Sequence, residues 1–478
     1  MLVKNIYIRL GTSIFTASVA FITSILVVRT FGVKIYGNIA YYYSLAGVFS
    51  LFADLGISTA YNKFLASEDN PRDITTYIFL KFLLIVIYVL IFLAAYLSKF
   101  KGGQMDNKFL FIAFVVIVLD LTAQFFTATL IGKRDFAYLS RIEITSCMIM
   151  FIYNLIVCFV VADKYFLAAN LAVFHSAMIV GGLVYFCNRQ LLQFSKPRWT
   201  DIKKYLNYSA PISFSSIVSR FITYVDKLLV GKLIGITELG LYRIALQCYS
   251  AFDKLIKPVT KTLFTEIAHR ITNVPLFFHK KFRDIVQILN ITGGVMALTL
   301  IFLSTTVIIL AFGVENIRSS LILKFFSLSI LARLFWRPYN HVIYAIEKHK
   351  LILYLAPLNL IIRIVCYYFL IPLKIGEFYF GAIALPLTEF ILWYFPAGIL
   401  RVWILKKEYG NIHIVEIILK IWLPVAALII IGYFFSYSIF TLAIALVSFL
   451  IIEYYFKVLT KERLTYLVEP FRAACSKL

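Results

Sequence analysis

The sequence predicts an all-α polytopic membrane protein with about fourteen transmembrane helices. Three observations predict it. The 478 residues are 62% hydrophobic and only 15% charged, with a mean hydropathy of +0.88, far from the balance of a soluble chain. Apolar runs of about 20 residues, the length that crosses a hydrocarbon core, recur from end to end. The polar stretches between them are short and basic, which leaves no room for a separate soluble catalytic domain.

Hydropathy places the spans near residues 8–30, 39–61, 75–97, 109–131, 142–162, 165–187, 209–234, 240–266, 285–312, 320–345, 350–372, 377–400, 412–435 and 437–457. The first is too long for a cleavable signal and is followed by Arg29, so it reads as a retained span. The formal charge of +23 suggests nucleic acid only until its location is considered. With the N-terminus in the cytoplasm, about 25 Lys and Arg fall in inner loops and the tail against about 7 outside, as the positive-inside rule requires. A shift of one span destroys that asymmetry, so both termini are expected in the cytoplasm.

The spans divide into two halves. The run beginning at Leu26, LVVRTFGVKIYGNIAY, aligns with LVGKLIGITELGLYRI beginning at Leu229. Leu26, Val27, Arg29, Gly32 and Gly37 then match Leu229, Val230, Lys232, Gly235 and Gly240. Both copies lie where the first span of a half leaves and the second enters, and both halves start on the same side. Parallel repeats of this kind are characteristic of secondary transporters. The expected organisation is an N-terminal six-helix lobe over 1–200, a C-terminal six-helix lobe over 201–405, and two additional helices with a basic tail over 406–478. The lobes are expected to be related by a pseudo-twofold axis. The basic connection 188–208 reads equally as a linker between halves or as a plain topology-setting loop.

Residues 214–261 stand apart from an ordinary membrane hairpin. They carry Arg220, Asp226, Lys227, Lys232, Arg243, Asp253, Lys254 and Lys257. A charge near the bilayer centre costs at least about 3 kcal/mol, so such groups face protein or water. Side chains three or four residues apart share a helix face. On that basis Arg243, Gln247, Ser250, Lys254, Lys257 and Lys261 line one face of the eighth span, and Arg333, Arg337 and His341 one face of the tenth. Asn359 and Arg363 follow in the eleventh, and Asp120, Gln124 and Thr127 form a stripe in the fourth. The candidate anion-binding set is Arg220, Arg243, Lys254, Arg333, Arg337 and Arg363, because guanidinium forks match phosphate and carboxylate and stay charged when desolvated. Asp54, Asp120, Asp226 and Glu389 are the candidate cation-coupling acids, since burial ties a carboxylate's proton or Na⁺ affinity to its surroundings.

Structural readings stand beside these. Arg29, Lys232 and Lys261 lie near span ends, where long cationic side chains snorkel. Asp253 and Lys257 have the spacing of an intrahelical pair, and Glu143 lies close to Arg141. His175 is a lone histidine in an apolar run, which favours a structural role. The six cysteines show no CxxC pair, so neither a disulfide framework nor a zinc site is expected, and no cofactor is implied. The chain has no GxxxxGK[ST], HExxH or GxSxG. Basic segments with aromatic interleaving on a soluble surface are absent too, which argues against nucleic acid.

Two segments resemble a known family. Residues 25–66 contain Arg29 to Gly32, Tyr36-Gly37 and Asp54-Leu55-Gly56, and residues 224–245 contain Asp226, Gly235, Gly240 and Tyr242. In that order they resemble the polysaccharide-exporter branch of the multidrug/oligosaccharidyl-lipid/polysaccharide (MOP) flippase superfamily. The resemblance implies a non-enzymatic flippase of undecaprenyl-diphosphate-linked oligosaccharide, of the O-antigen (Wzx) type, in a bacterial inner membrane. It also implies alternating access through a central cationic cavity, coupling to an H⁺ or Na⁺ gradient, and contact with membrane lipid and other polysaccharide assembly proteins. Conventional O-antigen flippases have twelve spans, and fourteen resembles the lipid II flippase branch. A cation-coupled multidrug exporter would need an acidic or apolar cavity. A membrane-embedded glycosyltransferase or polymerase would need a long outer loop, whereas the longest here is about residues 98–108.

Overall fold

The computed structural model describes residues 2–68, 71–99, 106–189, 196–273, 282–345, 349–376, 378–409, 414–434 and 439–455. Sixteen α-helices carry the described chain, and each of the fourteen predicted spans overlaps a described helix. The protein is an all-α polytopic membrane protein. Among the described residues eight segments are long and apolar enough to cross a membrane, and three shorter apolar helices accompany them.

The chain folds as two compact units, Met1–Gln247 and Cys248–Leu478. In the first, α1 (Leu2–Phe49) packs against α4 (Asn107–Gly132), α5 (Phe136–Ile156) and α8 (Trp199–Leu233). Beside them lie α2 (Ile57–Glu68), α3 (Pro71–Lys99), the short α6 (Lys164–Ala168) and α7 (Asn170–Asn188). The core of this unit is aromatic. Tyr61 and Tyr77 stack at 4.0 Å, both fully buried, with Phe64, Phe126, Phe186 and Tyr205 around them. Asp106 and Asp163 cap α4 and α6 by accepting from backbone N–H groups of their first turns.

Helix α9 (Ile236–Asn273) follows α8 after Gly235 and continues into the second unit. There α10 (Arg283–Phe312) packs along α11 (Arg318–Ala345), and α11 along α13 (Ala384–Tyr394). Helix α12 (His349–Leu370) lies against α13, and α14 (Ala397–Tyr409) against α11. The predicted appended hairpin is present. Helices α15 (Ile414–Phe434) and α16 (Ile439–Tyr455) pack on each other and on α10.

Three span boundaries differ from the hydropathy reading. The first two predicted spans share α1, which turns at Gly32 (φ 79°), a left-handed conformation that a Cβ disfavours. Residues 374–375 and 378–379, around the expected start of the twelfth span, form a small antiparallel ladder pairing Lys374 with Tyr379 and Ile375 with Phe378. Gly376 at φ 61° makes its turn. The twelfth span itself divides into α13 and α14 at Pro396, which has no N–H to continue the helical ladder.

The internal repeat has a structural counterpart inside the first unit. Gly235, the partner of Gly32, also has positive φ, at 123°. Gly37 and Gly240 are reciprocal close approaches. A Cβ on Gly37 would strike the Ile236 carbonyl, and one on Gly240 would strike the Val33 carbonyl. Backbone at both sites cannot step aside as a side chain can. Gly37→Ala and Gly240→Ala are each expected to cost about 1–3 kcal/mol. Thermal unfolding of the purified protein in detergent checks this, with Gly11→Ala, which meets nothing within 4 Å, as the tolerated control.

Candidate functional site

Among the described residues, two clusters of ionised side chains are held by ion pairs between helices. In the first unit Asp54-Leu55-Gly56 forms a tight turn, with Leu55 at φ 42° and Gly56 at φ 67°, closed by the Ile57 N–H donating to the Asp54 carbonyl at 2.8 Å. The turn holds the Asp54 carboxylate where Ser58 donates to it. Lys81 Nζ, on α3, pairs with Asp54 Oδ1 at 2.9 Å, and Arg220 Nη2, on α8, lies 3.4 Å from Oδ2. Lys81 also donates to Gln124 at 3.2 Å, Gln124 donates to Asp120 at 2.8 Å, and Asp120 lies 3.7 Å from His175 Nδ1. A polar chain therefore runs from α8 through α3 and α4 to α7.

The second cluster lies in the other unit. Arg333 on α11 donates through Nε to Glu389 Oε1 on α13 at 2.9 Å, and through Nη2 to the same oxygen. Its Nη1 lies 3.5 Å from Asp253 Oδ1 on α9. Arg337, one turn along, donates to that same Asp253 oxygen at 2.8 Å. The Tyr249 ring packs 5.2 Å beneath the Arg333 guanidinium. Two cations and two acids form a neutral quartet, which resolves the repulsion expected between two arginines one turn apart. Arg337 Nη1 is buried without a hydrogen-bond partner.

The six candidate anion ligands fall in both units, Arg220 and Arg243 in the first and Lys254, Arg333, Arg337 and Arg363 in the second. Arg333 and Arg337 stand together in the quartet, and Arg220 belongs to the Asp54 cluster. Arg243 lies 5.1 Å over the Tyr36 ring. Arg363 donates to Tyr367 Oη one turn ahead on α12 at 2.8 Å. Lys254 is partly buried on α9. Of the four candidate acids, Asp54 and Glu389 are ion-paired rather than isolated, because each meets a cation from a different helix. Asp120 is held by Gln124, and Asp226 is buried on α8. Asp253, expected as a candidate partner for Lys257, pairs with Arg333 and Arg337; the Lys257 and Lys261 side chains lie outside the described set. Glu143 pairs with Arg9 of α1 at 2.7 Å rather than with its neighbour Arg141.

Sequence reasoning missed Lys81, whose side chain is only 3% exposed. Its signal was present, since it is the one ionised residue between Ile74 and Ser98. No group of three or more His, Cys, Asp or Glu able to hold a metal occurs among the described residues.

With the geometry established, three comparisons with known proteins bear on the chain. The family described as polysaccharide biosynthesis protein matches residues 2–264. No curated protein matches significantly by sequence. Among solved structures, the lipid II flippase MurJ in an inward closed conformation superposes with a TM-score of 0.66 at 18% identity, covering 93% of this chain and 97% of that one. A multidrug resistance MATE family transporter of the MOP superfamily, inward-facing, gives 0.61 at 13% identity, over 86% and 98%. A MOP superfamily transporter from Pyrococcus furiosus gives 0.51 at 12%, over 87% and 96%. At these identities the structures establish a shared fold.

Breaking the Asp54 pair tests how far its charges depend on each other. Lys81→Met leaves a buried carboxylate with only the half-exposed Arg220 nearby, an expected loss of about 3–5 kcal/mol. Lys81→Met with Asp54→Leu removes both charges and is expected to recover most of it. Unfolding of the two variants and the wild type in detergent reads the difference.

Proposed function

This chain belongs to the polysaccharide biosynthesis protein family, and from that premise we propose that it is a flippase. Its substrate would be an undecaprenyl-diphosphate-linked oligosaccharide, an O-antigen repeat unit or a similar glycan. The protein would carry the headgroup across a bacterial inner membrane by alternating access while the polyprenyl tail stays in lipid, with no covalent change to either. Both termini would face the cytoplasm, in keeping with the inner-loop excess of Lys and Arg, and the chain would be organised as two six-helix lobes and a C-terminal hairpin.

The observation that carries the reading is the paired charge on α11 and α13, which lie in segments long and apolar enough to cross a membrane, and on α9 ion-paired to α11. Arg333, Arg337, Asp253 and Glu389 sit together on α9, α11 and α13. A merely structural helix interface has no use for four ionised groups that cost several kcal/mol to desolvate. Arginines held by acids can exchange those acids for a diphosphate, which offers the same bidentate oxygens. In this scheme Arg220, Arg243, Lys254 and Arg363 make further contacts to the anionic headgroup. Asp54, Asp120, Asp226 and Glu389 are the proposed coupling acids for an H⁺ or Na⁺ gradient. The exchange gives coupling a physical basis, because an acid released from its arginine is free to take a cation. Membrane lipid and other polysaccharide assembly proteins complete the proposed partners.

The lipid II flippase reading is favoured by the C-terminal hairpin on α10, which exceeds a twelve-span plan. A multidrug exporter of cationic compounds fits poorly with an interior surplus of arginine and lysine.

The proposal is tested in cells that depend on this protein for surface glycan. Arg333→Gln with Arg337→Gln is expected to lower surface polysaccharide at least about tenfold, the equivalent of one lost contact of about 1.4 kcal/mol. Membrane levels are held equal by quantitative blotting. Normal surface polysaccharide in the double variant would remove these arginines from the transport path.

A further inference from the structure

We propose that Glu453, Asn290 and Gln287 form a Na⁺ site at the seam between α10 and α16, apart from both charged clusters. Glu453 is the only ionisable acid or base on α16, and it is fully buried. Neither of its carboxylate oxygens has a hydrogen-bond partner. A carboxylate in that state inside a membrane bundle costs several kcal/mol unless something positive joins it.

The seam supplies further oxygens at the same height. The Phe449 ring packs on Gly294, which fixes the register of the two helices. On the expected alternation of fourteen crossings, α10 and α16 run antiparallel. One turn beyond Phe449 on α16 is Glu453, and one turn before Gly294 on α10 is Asn290, about 6 Å along each axis in the same direction. Gln287 follows on the same face of α10. Asn290 is fully buried and Gln287 nearly so, and Asn290 Oδ1 and Gln287 Oε1 both lack a partner. Asn290 Nδ2 donates to the Val286 carbonyl at 2.6 Å, which identifies its outward atom as the oxygen.

Four acceptor oxygens from three side chains thus fall on one seam where no donor among the described residues answers them. An ionised carboxylate accepts only, and an amide oxygen likewise. One proton would satisfy one pair of these atoms, whereas a hard monovalent cation engages all four. Described charges on the helices packed against α10 are engaged elsewhere: Lys420 of α15 is tied to Glu416 at 2.6 Å, and Arg333 and Arg337 of α11 are paired with Glu389 and Asp253, while Arg283 at the start of α10 is exposed and Asp284 beside it is acidic. Trp422 of α15 directs its ring at Phe390 and Tyr394 of α13.

The site is tested by ²²Na⁺ binding to the purified full-length protein in detergent at pH 8, with choline balancing ionic strength. No glycan is present, so the result does not depend on the export reading. Wild type is expected to bind saturably, and Glu453→Gln and Asn290→Leu are each expected to lose one site per chain. Glu416→Gln, exposed on α15, is expected to keep it. Na⁺ should raise the melting temperature of wild type and leave that of Glu453→Gln unchanged, a comparison within each variant that separates site loss from misfolding. The proposal is overturned by the absence of saturable binding in wild type. Full stoichiometry in Glu453→Gln overturns it as well.

Discussion

A charge in the bilayer interior must be matched from within the protein, and this constraint organises the molecule. Lys81 has a single aspartate within ion-pair reach, and the Asp54-Leu55-Gly56 turn exists in the shape that presents it. Arg333 and Arg337 share one Asp253 oxygen because the alternative is mutual repulsion in a medium that screens poorly. Each cluster therefore ties three or more helices together: α3 and α8 to the turn before α2, and α9 and α13 to α11. The packing between these helices follows the pairs as much as it follows the apolar faces.

Such pairs contribute little net stability, since desolvation consumes most of the Coulombic gain. In the proposed mechanism their value is that they can be exchanged. A guanidinium released from Glu389 would take a phosphate oxygen, and Glu389 would then be free to take a cation. The close glycines belong to the same logic from the backbone side. Gly37 and Gly240 let the α1 and α9 backbones touch, where any side chain would hold them apart. The proposed transport would need both interior charge that can change partners and surfaces that can meet and part.

Much of the fold was legible in the sequence. The fourteen apolar runs fix the helices, because a membrane admits few other structures. The repeat at Gly32/Gly235 and Gly37/Gly240 located both positive-φ turns and both close approaches, although an alignment alone could not say that the two copies touch. The polysaccharide branch read from the motifs agrees with the family matched over residues 2–264. The candidate site was legible only in part. Arg333, Arg337, Asp54 and Glu389 stood out because ionised residues are rare in apolar runs, but their partners lie 56 or more residues away for Arg333 and Glu389. Arg9 and Glu143 are 134 apart. Helical periodicity relates residues on one helix and carries no information on which helix is opposite, so it could not show that Asp253 meets Arg333 and Arg337 or that Glu143 meets Arg9. Lys81 escaped because a single lysine in a long hydrophobic run forms no stripe.

The central claim is that these interior charges serve an anionic, lipid-linked sugar. The most direct measurement is translocation of a fluorescent undecaprenyl-diphosphate oligosaccharide in proteoliposomes holding the purified protein, read by quenching from outside. The account predicts protein-dependent transfer between leaflets that accelerates under an imposed Na⁺ or proton gradient. Transfer no faster than in protein-free liposomes, with and without the gradient, would contradict it.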